Sequence, residues 1–262
     1  MAATYRTISV DALEDGAVVR VLLNQPKGNI LTMGMMRELD EALRALRDHR
    51  HLKLVIVRGA GGHFSFGASV EEHRRAQAPD MLRGFHAFLR ELVSFPVPVA
   101  ALVEGRCLGG GFELALCCHL MFATPGARFG CPEIKLGVFP PVFAVVGPLR
   151  MPGAIAERML VTGEDIDVEV AGRAGLLAGV FDQPDPEAAL MEWYRRNLAP
   201  LSAFALRQAV AAARHASGLM AAMQDALAET ERRYITDVVS SHDGNEGIEA
   251  FLARRAPDWQ DR

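Results

Sequence analysis

Two glutamates and two glycine-bearing loops are the residues of this sequence whose types and spacing could do chemistry. The loops are Gly67-Ala68-Ser69 and Gly109-Gly110-Gly111, each following an apolar run and preceding a helical pattern. Backbone N–H groups at a helix start have no partner within the helix and carry the positive end of its dipole. Were the two loops to meet, two such donors would converge on one oxygen. They would then stabilise the charge that gathers on a thioester carbonyl as it becomes an enolate. Glycine there lets a ligand come close to the backbone. Glu113 stands in GGFELAL (110–116) and Glu133 in FGCPEI (129–134), both amid apolar neighbours. Two carboxylates facing one pocket push each other's pKa apart, leaving one as acid and the other as base. Taken singly, such glycines also serve tight turns, and such glutamates also serve helix N-termini. The combination is what points to a site.

Signals for other chemistries are missing. No Gly-x-Gly-x-x-Gly follows a strand, and no Gly-x-x-x-x-Gly-Lys-Ser/Thr occurs, which disfavours nucleotide cradles. His63 stands where a nucleophile elbow around Ser65 would need glycine. The eight histidines show no metal-ligand spacing, and His73 reads as a solvated helix position. Cys107, Cys117, Cys118 and Cys131 lack a Cys-x-x-Cys spacing and read as reduced packing residues, not as a zinc site or a disulfide framework. The pairs Arg195-Arg196 and Arg254-Arg255 read as solvated faces or intersubunit contacts.

These residues must be positioned by a folded frame, and the composition supplies one. The chain has 262 residues, 50% hydrophobic and 23% charged, with a net charge of −4 that leaves no electrostatic footprint for nucleic acid. The N-terminal MAATYRTISV has no basic region followed by an apolar run, and no stretch is long and apolar enough for a membrane span. A cytoplasmic protein is the expectation. Strands are predicted at 17–23, 54–57 and 97–103, and helices at 33–47, 79–93 and 112–118. Ser69-Val70-Glu71-Glu72 fits a capping box that would start a further helix at Ser69. Beyond about residue 148 the pattern turns helical, at 152–161, 167–174, 186–198, 202–214, 217–240 and 244–254. The alternation predicts an α/β core with crossovers, followed by a mostly helical part.

At this point a wider pattern is visible. Gly105-x-Cys107-Leu108-Gly109-Gly110-Gly111-x-Glu113-Leu114-Ala115, then Pro132-Glu133-Ile134-x-Leu136-Gly137, resembles the crotonase (enoyl-CoA hydratase/isomerase) superfamily. Asn24 to Asn29 and Phe64 to Ala68 match upstream, in the expected order. The resemblance implies a spiral of ββα units over 1–195. It also implies a helical region over 196–262 that completes homotrimers, often paired into hexamers. By position, the Ala68 and Gly110 N–H groups would bind the thioester oxygen. Glu113 and Glu133 would hold a water between them. Lys27, Gly28 and Ile30, with Phe66, Gly67, Ala68, Ser69 and Val70, would line the coenzyme A channel. No metal or redox cofactor is implied, since coenzyme A arrives within the substrate. Three departures bear on the acyl group: Ser69 stands where Asp is common, His119 replaces another frequent Asp, and bulky residues at 138–146 replace a glycine-rich stretch. Phe139 and Phe143 would thereby reshape the acyl pocket. The stretches 63–73 and 132–139 are similar to the subfamily that hydrates cyclohexa-1,5-diene-1-carbonyl-CoA in anaerobic benzoyl-CoA breakdown. A general short-chain enoyl-CoA hydratase, an isomerase or lyase on the same scaffold, and a catalytically silent binding relative are the alternatives.

Overall fold

Leu54 to Val57 carry no polar side chain, and in the computed structural model, which describes residues 5–262, they open a strand covered on both faces. That strand, β3 (Leu54–Gly59), lies inside a six-stranded sheet with β1 (Ile8–Leu13), β2 (Val18–Leu23), β4 (Val99–Val103), β6 (Leu120–Ala123) and β9 (Gly179–Val180). The order is β1-β2-β3-β4-β6-β9, antiparallel only between β1 and β2. A three-stranded sheet, β5-β7-β8, is formed by β5 (Arg106–Leu108), β7 (Arg128–Gly130) and β8 (Asp165–Asp167).

Helices cover both faces of the larger sheet. On one face lie α1 (Met33–Leu46), α2 (Ala78–Val93) and α3 (Gly110–Cys117). The buried residues of α1, from Met35 and Met36 through Leu39 and Leu43 to Leu46, recur at helical spacing, and Thr32 caps its start by accepting from the Met35 N–H. All eight residues of α3 are buried, so this helix is the apolar axis of the core. Four helices follow: α4 (Pro141–Arg150), α5 (Gly153–Thr162), α6 (Val168–Arg173) and α7 (Pro186–Asn197). The last of these covers the opposite face, where Leu190, Met191 and Tyr194 pack on Leu54, Ile56, Leu102 and Phe122. The chain ends in α8 (Ala203–Ala216), α9 (Leu219–Arg233) with a π-helical turn over Tyr234–Val238, and α10 (His242–Leu252). α9 packs on α4 and α2. No helix among the described residues is long and apolar enough to cross a membrane.

The expected α/β core with a helical C-terminal region is observed. Three details differ. No helix starts at Ser69: Glu71–His73 forms a single 3-10 turn without a side-chain cap. The Glu72 carboxylate accepts instead from the Met33 N–H (2.9 Å), at the start of α1, so the supposed capping box serves another helix. The strand expected from 97 begins at Val99, after Pro96 and Pro98. The bulky stretch at 138–146 runs into α4, which Pro141 opens at a first-turn position that tolerates proline.

Candidate active site

The register of the smaller sheet explains how distant loops meet. Cys107 pairs with Phe129 in β5 and β7, and an isolated parallel bridge pairs Ser65 with Cys107. Ser65, Cys107 and Phe129 therefore stand side by side on three successive turns of the chain. Three residues further along each turn come Ala68, Gly110 and Pro132, with Glu133 next. A Cβ placed on Gly67 would lie 3.5 Å from both the Gly109 Cα and the Gly110 nitrogen, and one on Gly110 would lie 3.2 Å from the Ala68 nitrogen. Both Ala68 and Gly110 N–H groups are without an acceptor among the described residues. Gly110 owes this to its place in the first turn of α3. Ala68 owes it to the parallel bridge with Leu31, which engages the Gly67 carbonyl and the Ser69 N–H and leaves the Ala68 N–H turned away. The helix dipole thus favours one donor, and sheet geometry supplies the other.

A small cavity of about 60 Å³ lies against these loops, lined by Gly67, Ala68, Val70, His73, Gly109 and Glu133 among others. Glu133 follows Pro132 in a 3-10 turn (Pro132–Leu136), and its Oε2 is buried without a hydrogen-bond partner among the described residues. Glu113 is almost wholly buried one turn into α3, and its Oε1 accepts from the Phe143 N–H (2.8 Å). Burial raises both carboxyls well above the ordinary carboxylate range, and the charge of Glu113 raises Glu133 further. Hydrogen bonds from the Phe143 and Val142 N–H groups oppose the rise at Glu113. The pair titrates as a unit, with a carboxylic acid retained into the neutral range.

A larger cleft of about 560 Å³ adjoins it, lined by Lys27, Gly28, His63 and Phe66 among others. Phe66 lines both spaces and stands between them. It packs over Gly28, whose φ of +97° and lack of Cβ permit the ring's approach. Asn29 ties this loop to the next turn: its Nδ2 donates to the carbonyls of Ala60 (2.9 Å), His63 (3.0 Å) and Phe64 (3.2 Å), and the Ser65 hydroxyl donates to its own carbonyl (2.7 Å). Asn29→Ala strands three carbonyls, that of Phe64 buried and the others part-buried, and should cost about 2–3 kcal/mol in denaturant unfolding.

Of the residues expected at the site, Glu133, Ala68, Gly67, Val70, Phe66, Gly28 and Lys27 line one or other space, while Gly110 abuts Ala68 and Glu113 lies near enough for its charge to raise Glu133, neither of them in the lining itself. Ile30 and Ser69 line neither space; the Ser69 backbone is taken by Leu31 and by the ring of His73. Phe139 and Phe143 are also absent from the cavity lining. Phe143 is 1% exposed, with its ring packed on Phe112 and its backbone holding Glu113, while Phe139 packs edge-on against Tyr234. Their effect on the site is therefore indirect. His119 is a backbone acceptor, its Nδ1 taking the Val99 N–H (3.0 Å), and burial beside Arg214 and Arg150 lowers it to about 2.

Two residues were not anticipated here. His73 is half-buried in the cavity wall instead of solvated, because the turn that carries it is not the surface helix the sequence suggested. Tyr234 is buried at the start of the π-helical turn, with its hydroxyl unpartnered among the described residues. Burial raises its pKa, as do the nearby charges of Glu133 and Glu113. No periodicity in the sequence marks a π-turn, a feature that recurs at functional sites. Because the hydroxyl has no partner, Tyr234→Phe should leave the melting temperature unchanged or raise it by a few degrees in a thermal scan.

Two free N–H donors beside a pair of buried carboxyls of raised pKa, at the end of a cleft, form an arrangement able to polarise an acyl carbonyl and to move protons next to it. The family model for enoyl-CoA hydratase/isomerase matches residues 14–262. The chain belongs to that family, the crotonases, as its glycine and glutamate motifs led one to expect. It is 40% identical over 248 residues to the cyclohexa-1,5-dienecarbonyl-CoA hydratase of Thauera aromatica, covering 95% of each chain. It is 32% identical to the 2,3-dehydroadipyl-CoA hydratase of Escherichia coli, over 94% of this chain and 96% of that one. Among solved structures, an enoyl-CoA hydratase from Mycobacterium avium subsp. paratuberculosis superposes with a TM-score of 0.86 at 25% identity, covering 98% of this chain and all of the other.

Proposed function

We propose that the protein adds water reversibly to the alkene conjugated with an acyl-CoA thioester, and that the acyl group is alicyclic, cyclohexa-1,5-diene-1-carbonyl. The observation that carries the reading is the pairing of the Ala68 and Gly110 N–H groups with two carboxyls of raised pKa. Donors on the thioester oxygen draw electron density from the conjugated alkene and make its far carbon electrophilic. One glutamate accepts a proton from water as the water oxygen bonds to that carbon. The electron pair collects on the thioester oxygen as an enolate, and the other glutamate delivers a proton to carbon as the carbonyl reforms. Atoms balance with one water consumed and the carboxyl pair returned to its starting protonation. The alicyclic assignment is supported by the name and 40% identity of the Thauera relative and by the stretches 63–73 and 132–139.

In this reading coenzyme A enters with the substrate, its thioester passing Phe66 from the outer cleft, and no metal or redox cofactor takes part. Glu113, Glu133, Ala68 and Gly110 do the chemistry, while Lys27, Gly28, Phe66, Gly67 and Val70 bind the ester. A cytoplasmic homotrimer, or a dimer of trimers, is the proposed state. Exposed Phe204 on α8 and Phe251 on α10 supply apolar surface for such contacts.

The test is to incubate the protein with cyclohexa-1,5-diene-1-carbonyl-CoA and with crotonyl-CoA and follow the gain of one water by mass. Hydration of the diene at a kcat/KM well above that for crotonyl-CoA is the expected result. Preference for crotonyl-CoA would overturn the alicyclic assignment, and inertness toward both would overturn hydration.

A further inference from the structure

His73 enters the cavity wall from the 3-10 turn that follows the oxyanion loop. Its Nδ1 lies 2.7 Å from the Ser69 carbonyl oxygen. A carbonyl can only accept, so Nδ1 carries the ring hydrogen and the tautomer is fixed. Burial lowers the pKa and favours the neutral ring, which leaves Nε2 with a lone pair and no proton. No group among the described residues bonds to Nε2. The neighbours on this turn face elsewhere: the Glu72 carboxylate is held by the Met33 N–H, and Arg74 pairs with Glu249 of α10.

The rest of the cavity decides what that lone pair is for. Ala68 and Gly110 offer donors, and these are assigned to the thioester oxygen. Phe66, Val70, Leu136 and Val138 are apolar, and Glu133 is assigned to the reacting water. An acyl group held by its carbonyl therefore meets one acceptor that the hydration chemistry does not use. An enoyl chain has no hydrogen-bond donor to give it, whereas a hydroxyacyl chain has one, on the oxygen that water has just delivered.

We propose that His73 is a specificity-determining residue whose free Nε2 accepts a hydrogen bond from a hydroxyl on the acyl group, so that the site favours hydroxyacyl-CoA over its deoxy counterpart. This rests on the acyl-CoA hydratase reading. It goes beyond it by giving the cavity a preference between the two sides of the reaction.

The experiment compares binding of 2-hydroxycyclohexane-1-carbonyl-CoA and cyclohexane-1-carbonyl-CoA by calorimetry, using full-length protein carrying Glu113→Gln so that turnover does not intrude. In that parent the hydroxy thioester should bind about five- to tenfold more tightly, the worth of one added hydrogen bond. Adding His73→Phe should bring the two affinities within about twofold without weakening the deoxy thioester. His73→Gln, whose amide oxygen can accept, should keep part of the preference and provides the second arm should the Phe variant fold poorly. A preference that survives His73→Phe overturns the inference, as does equal weakening of both thioesters, which marks a merely structural residue. Equal binding of both by the parent overturns it while leaving the acyl-CoA reading intact. Failure of both thioesters to bind overturns the acyl-CoA reading and the inference with it.

Discussion

Glu133→Gln and Glu113→Gln are each expected to lower kcat for hydration by about 10²–10⁴-fold while the acyl-CoA still binds with a Kd within a few-fold of the parent. Glutamine keeps the size and one acceptor oxygen of each side chain but can neither take up nor release the proton. At position 113 that oxygen can still receive the Phe143 N–H, so the loop before α4 should hold its place. Stopped-flow loss of the enoyl absorbance with calorimetric binding separates the two effects, and near-parental turnover in either variant would defeat the paired-carboxyl mechanism. Stability gives an independent sign. Both carboxyls have folded-state pKa values raised above those of the unfolded chain, so between the two the folded form binds more protons. Their contribution is fully present below the unfolded carboxylate pKa and is lost as pH rises through the folded values. The parent should therefore lose stability from mildly acid to mildly alkaline pH, and the slope should flatten in both variants. A parent slope of opposite sign from this region would show that the carboxyls are not buried as described.

The second large effect falls on a residue with no side chain. Gly109 precedes α3 with φ +50° and ψ −130°, a backbone conformation that L side chains rarely adopt. A Cβ there would stand 2.5 Å from Glu133 Oε1. Gly109→Ala must either twist the turn that presents the Gly110 N–H or drive the carboxylate out of the cavity. Either way the donor or the carboxyl is displaced, and kcat should fall by about 10²–10³-fold, on the scale of losing one oxyanion donor. Backbone strain should add about 1–3 kcal/mol of destabilisation. Gly126→Ala is the control: nothing stands within 4 Å of a Cβ at that position and its φ is ordinary, so activity and melting should stay near parental values.

The sequence was most legible where one kind of side chain repeats. β3 and β4 are runs of buried aliphatics, and α1 and α2 carry apolar residues at helical spacing, so these elements lie within two residues of their expected bounds. The strands β5 to β9 have two to four residues each, too short for any period to register. Yet β5, through the bridge of Cys107 to Ser65, sets the alignment that brings Ala68 and Gly110 together, and its pairing with β7 places Glu133 beside them. Their partners are fixed by the pitch of the chain around the core, which no local signal encodes. Ser69 and Glu72 show the opposite failure. Their spacing fits a helix start, but Leu31 takes the Ser69 N–H and Met33 takes the Glu72 carboxylate. With that helix gone, His73 moved from an exposed surface to the cavity wall. Glu113 and Glu133 were legible because a carboxylate among apolar neighbours is expensive to bury without a use.

The donors at Ala68 and Gly110 belong to the main chain, and this sets which genetic changes can reach them. No exchange of one ordinary side chain for another deletes an N–H; proline alone does so. Drift at these two positions can crowd the oxygen-binding point but cannot abolish its polarity. On the proposed reading, acyl preference is free to wander through Val70, His73, Leu136 and Val138, which line the cavity. The lineage can thus explore new thioesters while the means of activating them is inherited unchanged.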